Sequence, residues 1–337
     1  MAATVVGLSL NVVVVCQSVP VTRDQKPPVC VLGAGLIGGS LLRAARAAGY
    51  PAWGYNRSQA GVRAATADGY DVTGDLAAAL TRAAESDALI VVAVPMPAVD
   101  HLLGAVETLA PDCALTDVVS VKGPVVRAVR AHGLGKRYVG GHPMAGTSES
   151  GWSATDSELF RNAVWTVGAD DDAHARVWTR VARLAVDCGA VVVPVGAEDH
   201  DRAVARISHL PHVLAEALAV AGSGGGTLAL GLAAGSFRDG TRVAGTAPDL
   251  VRAICEPNRD ALLEVLDDTI AVLTAARDDL RAHGSLAKLV EAGHDGRAAF
   301  DTVRRWEITD IRPGDHDWQA RLRDAGRRGG VFTTLRT

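Results

Sequence analysis

A short apolar segment followed at once by a glycine-rich loop constrains the fold of this chain more than any other feature. Residues 29–32 read VCVL, residues 33–38 read GAGLIG, and residues 40–48 have the composition of a helix. Three glycines at this spacing, between a buried strand and a helix, are typical of a loop that passes close to a bound phosphate. The first glycine permits a tight turn, the second leaves room for the ligand, and the third lets the helix pack on the strand.

The alternation of apolar runs and alanine-rich helical stretches continues to about residue 196. Further strands are predicted at 52–55, 71–72, 88–94, 115–119, 138–140, 165–167 and 191–195. These runs lack polar alternation, which favours a parallel sheet buried on both faces. After Glu198 the strand signals stop, and helices are predicted at 200–220, 248–275 and 278–291. The fold class is therefore α/β, with a Rossmann-type parallel-sheet domain followed by an all-helical C-terminal domain.

These changes of pattern set the predicted domain boundaries. Residues 1–26 are interpreted as an extension, 27–196 as the Rossmann domain, 197–325 as the helical domain and 326–337 as a flexible tail. The apolar stretch 5–15 is too short to span a bilayer, and no lysine or arginine precedes it as in a secretion signal.

The net charge and the cysteine pattern limit which binding partners and which cellular compartment are expected. The net charge of −4 disfavours nucleic acid or an anionic membrane as the partner, and a small-molecule substrate is expected instead. The five cysteines are scattered without a CxxC pair, which indicates reduced thiols and a cytoplasmic location.

The glycine loop predicts a dinucleotide whose pyrophosphate lies at the N-terminus of the first helix. The loop residues assigned to this cofactor are Gly33, Gly35, Leu36, Ile37 and Gly38. At the end of the second strand, where an acid would select NAD+, the chain has Asn56, Arg57 and Ser58. Asn56 suits a ribose hydroxyl, whereas Arg57 and Ser58 suit a 2′-phosphate unless Arg57 stacks on the adenine. These residues by themselves favour NADP+ or the use of both cofactors, so NAD+ and NADP+ both stay open.

Four further stretches carry residues suited to chemistry. They are SVKG at 120–123, GGHPMAGT at 140–147, HD at 200–201 and SHLPH at 208–212. Together with the glycine loop, these motifs resemble those of the prephenate/arogenate dehydrogenases of tyrosine biosynthesis, over about residues 29–280. The resemblance implies oxidative decarboxylation of prephenate to 4-hydroxyphenylpyruvate with hydride transfer to NAD(P)+. It also implies that the helical domain completes the substrate pocket and forms a homodimer.

His142 is the expected catalytic base, because it ends a sheet strand and a neutral imidazole accepts a proton near pH 7. By resemblance, Ser120 bonds the C4 hydroxyl of the substrate or orients His142; the alternative is that it caps the following helix. The resemblance also implies substrate contacts by Thr147, His200, His212 and Arg242, with Arg238 as the alternative to Arg242, and cofactor contacts by Val94 and Pro95.

Other interpretations stay open from the sequence. Lys122 either serves the phosphates or lies on the surface, and His209 either packs at a domain interface or joins the pocket. His209 and His212 have no third ligand at metal spacing, so no metal is expected. Arogenate is the alternative substrate. A β-hydroxyacid dehydrogenase or imine reductase would place Lys or Asp on the first helix of the second domain, and a dinucleotide-sensing regulator would not need Ser120, His142 and Arg242 together.

Overall fold

The computed structural model describes residues 26–147 and 149–335, so the predicted extension lies outside the described part of the chain except for Lys26. The strands are β1 Val29–Leu32, β2 Ala52–Tyr55, β3 Val72–Thr73, β4 Leu89–Val92, β5 Ala114–Asp117, β6 Gly141–Pro143, β7 Val164–Gly168, β8 Val191–Val195, β9 Trp306–Glu307 and β10 Gly330–Val331.

Helices follow most of these strands. In the first part of the chain they are α1 Leu36–Ala47, α2 Gln59–Ala67, α3 Leu76–Glu85, α4 Val99–Leu109, α5 Gly123–Ala131 and α6 Ala175–Asp187. After β8 they are α7 Ala197–Val204, α8 Leu210–Gly224, α9 Gly226–Gly231, α10 Gly235–Thr241, α11 Pro248–Cys255, α12 Arg259–His283, α13 Ala287–Thr302 and α14 Trp318–Arg327. A π-helical segment, Ala205–His209, joins α7 to α8.

The sheet of the N-terminal domain has the order β3-β2-β1-β4-β5, with all neighbours parallel. A second sheet, β6-β7-β8, continues from it through a bridge between Leu115 and Tyr138. The predicted parallel sheet is confirmed, with one antiparallel pair, β6 with β7. Because β1 and β4 lie at the centre, the loops after them meet at one edge of the sheet, where ligands of such folds bind.

Two apolar clusters cover the faces of this sheet, which explains why its strands read as continuous apolar runs. Alternate residues of β1 divide between them: Val29 and Val31 face one cluster, and Cys30 and Leu32 face the other. Asp75 caps α3 by accepting the N–H of Ala78 at 3.0 Å, as its position predicts.

The helical domain has a much smaller core of its own. Its buried apolar cluster consists of Ala205, Cys255, Leu262 and Val265. By contrast, many large apolar side chains on α8, α9 and α12 are exposed, among them Leu218, Leu228, Ile270 and Leu273. The helical domain therefore leaves much of its apolar surface exposed in a single chain, which is typical of a surface that contacts another protein.

The prediction of a flexible tail at 326–337 is wrong for the described residues up to 335. After α13 the chain returns to the N-terminal domain: β10 pairs with β9, and Phe332 bridges to Val192 of β8. Phe332 and Trp318 of α14 both pack edge-on against Trp178 of α6. The sequence did not predict this packing, because residues 326–337 are basic and single aromatic residues, Trp318 and Phe332, bind the segment to the first domain. Residues 304–335, called the C-terminal strap below, thus belong with the first domain.

Candidate active site

The glycine loop between β1 and α1 has the geometry that its sequence predicts. Gly33 has a φ of +116°, and a Cβ there would lie 2.4 Å from the carbonyl oxygen of Ala93. A Cβ on Gly38 would lie 1.9 Å from the oxygen of Gly33. A Cβ on Gly35 would meet nothing within 4 Å, and no side chain caps the N-terminus of α1. The open space lies where free N–H groups and the helix dipole favour a phosphate, so these residues fit a dinucleotide.

The residues after β2 brace this loop. Asn56 donates from Nδ2 to the carbonyl of Ala34 at 3.2 Å and accepts the N–H of Ser58 at 3.1 Å. Ser58 caps α2 by accepting the N–H of Gly61 at 3.3 Å, while Arg57 is exposed. Asn56 therefore holds the glycine loop in place, a role that the sequence did not predict.

The other assigned cofactor residues lie around the same loop. Val94, after β4, lies beside Gly33: its Cγ1 would be 2.8 Å from a Cβ on that glycine. Pro95 follows and is exposed, whereas Leu36 and Ile37 are half-buried in the first turn of α1.

Three titratable side chains lie in a row across the domain boundary. Nδ1 of His142, on β6, is 2.9 Å from Nε2 of His200, on α7. Nδ1 of His200 is 2.8 Å from Oδ1 of Asp201. The carboxylate of Asp201 also contacts the SVKG turn, whose Lys122 and Gly123 N–H groups each donate to it at 2.7 Å.

Ser120 lies three residues after the end of β5 and is half-buried. The interpretation that it caps the next helix is wrong, because α5 begins at Gly123 and its N-cap position is Lys122, with no side-chain cap. The hydroxyl of Ser120 is therefore not used by the helix.

Lys122 is neither a phosphate ligand nor a surface residue, since it is only 3% exposed. Its ammonium group pairs with the carboxylate of Asp117 and donates to the carbonyl of Gly141 at 2.6 Å. Tyr138 donates its hydroxyl to the other carboxylate oxygen of Asp117 at 2.5 Å. This buried network fixes the peptide immediately before His142.

The environment keeps His142 neutral. Burial lowers the pKa of its imidazole well below the ordinary value, and the neighbouring His200, Lys122 and His209 lower it further. Burial also lowers the pKa of His200, although the bond to Asp201 opposes this. A neutral imidazole at this position accepts a proton at physiological pH.

The SHLPH segment spans the π-helical turn and the start of α8. His209 is fully buried, and burial lowers its pKa to about 4. Nδ2 of Asn258 donates to Nδ1 of His209 at 3.1 Å and to the carbonyl of Asp201 at 2.7 Å. His209 thus packs where the helices of the second domain meet, whereas the plainer interpretation placed it at a domain interface.

The remaining candidates for substrate binding are less buried than His142 and His200. His212 is half-buried; burial lowers its pKa, Glu216 opposes this, and the charge of Arg242 lowers it further. Arg242 begins a short helical turn, Arg242–Gly245, that packs against α8, which carries His212. Arg238 is exposed on α10. Thr147 lies in an exposed loop and accepts the N–H of Glu149 at 3.2 Å, whereas Ser148 between them is outside the described residues.

Several site residues were missed from the sequence. Asp117, Tyr138 and Asn258 carry no motif signal, because their roles depend on burial and on contacts that no local spacing indicates. Asp201 follows His200 directly, and an acid next to a histidine was the sequence signal that could have indicated its role. In the described ranges, no group of three His, Cys, Asp or Glu side chains is placed to hold a metal, and no helix is long and apolar enough to cross a membrane.

Comparison with known proteins places these motifs in one family. Residues 43–194 match the family model described as prephenate dehydrogenase, nucleotide-binding domain, and residues 196–292 match prephenate dehydrogenase, dimerization domain. The cyclohexadienyl dehydrogenase of Zymomonas mobilis is 33% identical over 299 residues, which cover 85% of this chain and 98% of that protein.

Solved structures agree. A Corynebacterium glutamicum protein assigned as a prephenate dehydrogenase is 48% identical, with a TM-score of 0.87 and coverage of 92% of this chain and 99% of that one. Prephenate dehydrogenase of Aquifex aeolicus, solved with hydroxyphenyl propionate and NAD+, is 24% identical and has a TM-score of 0.75 over 83% of this chain and 100% of that one, and it shows the shared fold. With matches that span both domains, the chain belongs to the prephenate dehydrogenase family of oxidoreductases.

Proposed function

We propose that this protein converts prephenate to 4-hydroxyphenylpyruvate and CO2 with NAD+ as the hydride acceptor. The observation that carries the proposal is the neutral His142 on β6, held between the two domains by His200. The family membership supports the reaction class, and the glycine loop supports the cofactor.

The chemistry follows from the substrate. Prephenate carries a hydroxyl on C4 and a carboxylate on C1 of a cyclohexadiene ring. The hydroxyl proton passes to His142 as C4 becomes a carbonyl carbon, and a bound nicotinamide would accept the hydride from C4. The C1–carboxylate bond breaks, CO2 leaves, and the electron pair of that bond completes the aromatic ring and leaves a negative charge on the C4 oxygen. His142 then returns its proton to that oxygen, which gives the phenol of the product. The protein has to orient C4, accept one proton and hold two anionic groups.

We assign the substrate contacts to residues around His142. The free hydroxyl of Ser120 bonds the C4 oxygen. Arg242 and His212, which lie on two elements packed against each other, hold a carboxylate, because a guanidinium offers a permanent charge and paired N–H donors. Thr147 is assigned to the second anionic group. His200 has both ring nitrogens engaged by His142 and Asp201, so the predicted direct contact between His200 and the substrate is not part of this proposal.

NAD+ is proposed as the preferred cofactor, although no acid follows β2. Asn56 keeps one Nδ2 hydrogen free for a ribose hydroxyl after bonding Ala34. Ser58 already caps α2, so it is less suited to a 2′-phosphate than its sequence position suggests. The NAD+ bound in the Aquifex structure supports the same choice.

We further propose that the protein acts as a homodimer in the cytoplasm. The exposed apolar side chains of α8, α9 and α12 and the dimerization-domain match support the dimer. The buried free thiols of Cys30, Cys113, Cys188 and Cys255 suit a reducing compartment.

A four-way assay tests the reaction. Purified protein is given prephenate or arogenate, each with NAD+ or NADP+, and reduced cofactor is measured. We expect the highest kcat/KM with prephenate and NAD+. Failure to reduce either cofactor with prephenate would refute the proposal, and a preference for arogenate would move the assignment to that substrate. Arg57→Ala serves as a cofactor control, since it should raise KM for NADP+ and leave KM for NAD+ little changed.

A further inference from the structure

The row formed by Asp201, His200 and His142 defines where each proton lies. The carboxylate of Asp201 is buried, which acts to raise its pKa, but hydrogen bonds from His200 and from the N–H groups of Lys122 and Gly123 outweigh burial and lower that pKa. Asp201 is therefore ionised near neutral pH and acts only as an acceptor. Nδ1 of His200 must then carry the hydrogen that bridges to Asp201.

This proton assignment propagates to His142. Since burial lowers the pKa of His200, its imidazole is neutral and has only one hydrogen, already placed on Nδ1. Nε2 of His200 is thus a lone pair, and the partner atom 2.9 Å away, Nδ1 of His142, must donate to it. The lone pair of neutral His142 consequently lies on Nε2, the ring atom opposite His200.

We propose that His200 and Asp201 are positioning residues that select the reactive tautomer of His142 and stabilise its protonated form. This rests on the proposed function, in which His142 is the base. When Nε2 takes the proton of the C4 hydroxyl, the imidazolium still donates through Nδ1 to His200, and His200 still donates to Asp201. His142 passes no proton on to His200 or Asp201. The positive charge on the His142 imidazolium is stabilised by the Asp201 carboxylate, to which it is linked through the side chain of His200.

The same carboxylate also joins the two domains. Its two oxygens accept the N–H groups of Lys122 and Gly123 in the SVKG turn, which also carries Ser120. The main-chain carbonyl of Asp201 accepts a hydrogen bond from Asn258. Asp201 therefore sets the position of His142 and of the turn that follows β5 together. A direct substrate role for His200 is disfavoured because it is only 2% exposed.

Two substitutions and a control test the proposal. His200→Ala removes the link to His142 but leaves the bonds of Asp201 to the SVKG turn, so its fold is expected to be retained. We expect it to lower kcat about 100-fold while KM for prephenate changes less than about 3-fold. Asp201→Asn is expected to lower kcat at least as much, because an amide supports the wrong tautomer. Asp199→Asn, on the same helix and at a partly exposed side chain, is the matched control and should keep wild-type kcat.

Additional readouts separate positioning from general damage. NAD+ affinity, measured by fluorescence quenching, and Tm should be unchanged in His200→Ala, while the solvent deuterium isotope effect on kcat should rise as proton transfer becomes slower. A raised KM with unchanged kcat would overturn the proposal in favour of direct substrate binding. Wild-type kcat in both variants would also overturn it. An inactive wild-type protein would instead refute the proposed function, so the two failures are distinguishable.

Discussion

At the scale of single residues, the site depends on a histidine that is kept neutral by its surroundings. Three cationic or ionisable neighbours, His200, Lys122 and His209, add to burial in lowering the pKa of His142. Lys122 does so while it holds the carbonyl of Gly141, so one side chain both orients the base and disfavours its protonation. The adjacent glycines at 140 and 141 leave room for this arrangement, since a Cβ on Gly140 would lie 2.8 Å from the hydroxyl of Tyr138.

The pH dependence of the reaction should report this environment. Because the neutral form of His142 is active and its pKa lies well below 6.5, kcat/KM for prephenate should stay level down to about pH 6.5. Activity should fall only on further acidification, as Nε2 becomes protonated. A pH–rate profile checks this. An acid limb centred at pH 7 or above would show that His142 is not held neutral, or is not the base.

At the scale of elements, the strand–loop–helix unit was predictable from sequence because its rules are local. Strands β1, β2 and β8 have the predicted bounds, and the glycine spacing predicted the turn. The fold and the cofactor loop were therefore accessible without a structure. The Asn258 contacts were not, because they join segments far apart in the sequence. The Asp117–Lys122 pair was not either: the two residues are only five positions apart, but neither their types nor their spacing indicates that both are buried.

Two glycine substitutions in this unit should differ in their effect on folding, although both should weaken cofactor binding. Gly35→Ala meets no protein atom within 4 Å and has a φ of −86°, so its Tm should equal that of the wild type. Its methyl group would fill the space at the N-terminus of α1, and the Kd for NAD+ should rise at least about 10-fold.

Gly38→Ala is the matched comparison. Its Cβ would lie 1.9 Å from a backbone oxygen, so α1 would have to move off β1, and Tm should fall along with NAD+ binding. Thermal melts and NAD+ titrations of both variants check the pair. Equal loss of stability in Gly35→Ala would contradict the assignment of its open space to the ligand.

At the scale of the whole molecule, the C-terminal strap is the part that sequence reasoning placed wrongly. Arg323 of α14 donates to the carbonyl of Ala169 at 2.6 Å, and Arg327 approaches Asp199 of α7 at 3.4 Å. The strap thus contacts the sheet and the first helix of the second domain. Its anchors are dispersed over thirty residues of polar sequence, which is why composition indicated a tail.

Removal of one anchor should measure the contribution of the strap. Trp318 is 5% exposed and packs on Trp178, so Trp318→Ala should lower the free energy of unfolding by about 3–5 kcal/mol. Urea denaturation of the variant and the wild type gives the difference. A change within about 0.5 kcal/mol would show that the strap does not stabilise the domain.

The exposed apolar side chains of α8, α9 and α12 predict that two copies of the chain associate. Light scattering should give twice the 34.9 kDa mass of one chain. Ile270→Asp, which puts a charge on the exposed apolar surface of α12, should shift the mass toward that of one chain, whereas Ala84→Asp on exposed α3 should not. A single-chain mass for the wild type would contradict the dimer, and an unchanged dimer in Ile270→Asp would place the interface elsewhere.

The kcat of His142→Asn with prephenate and NAD+ tests the central claim most directly. Asparagine keeps a polar group near His200 but cannot accept the hydroxyl proton at neutral pH. We predict that kcat falls by about 100-fold or more while KM for prephenate and the Kd for NAD+ stay close to those of the wild type. A kcat within a few-fold of the wild type would contradict the assignment of His142 as the base.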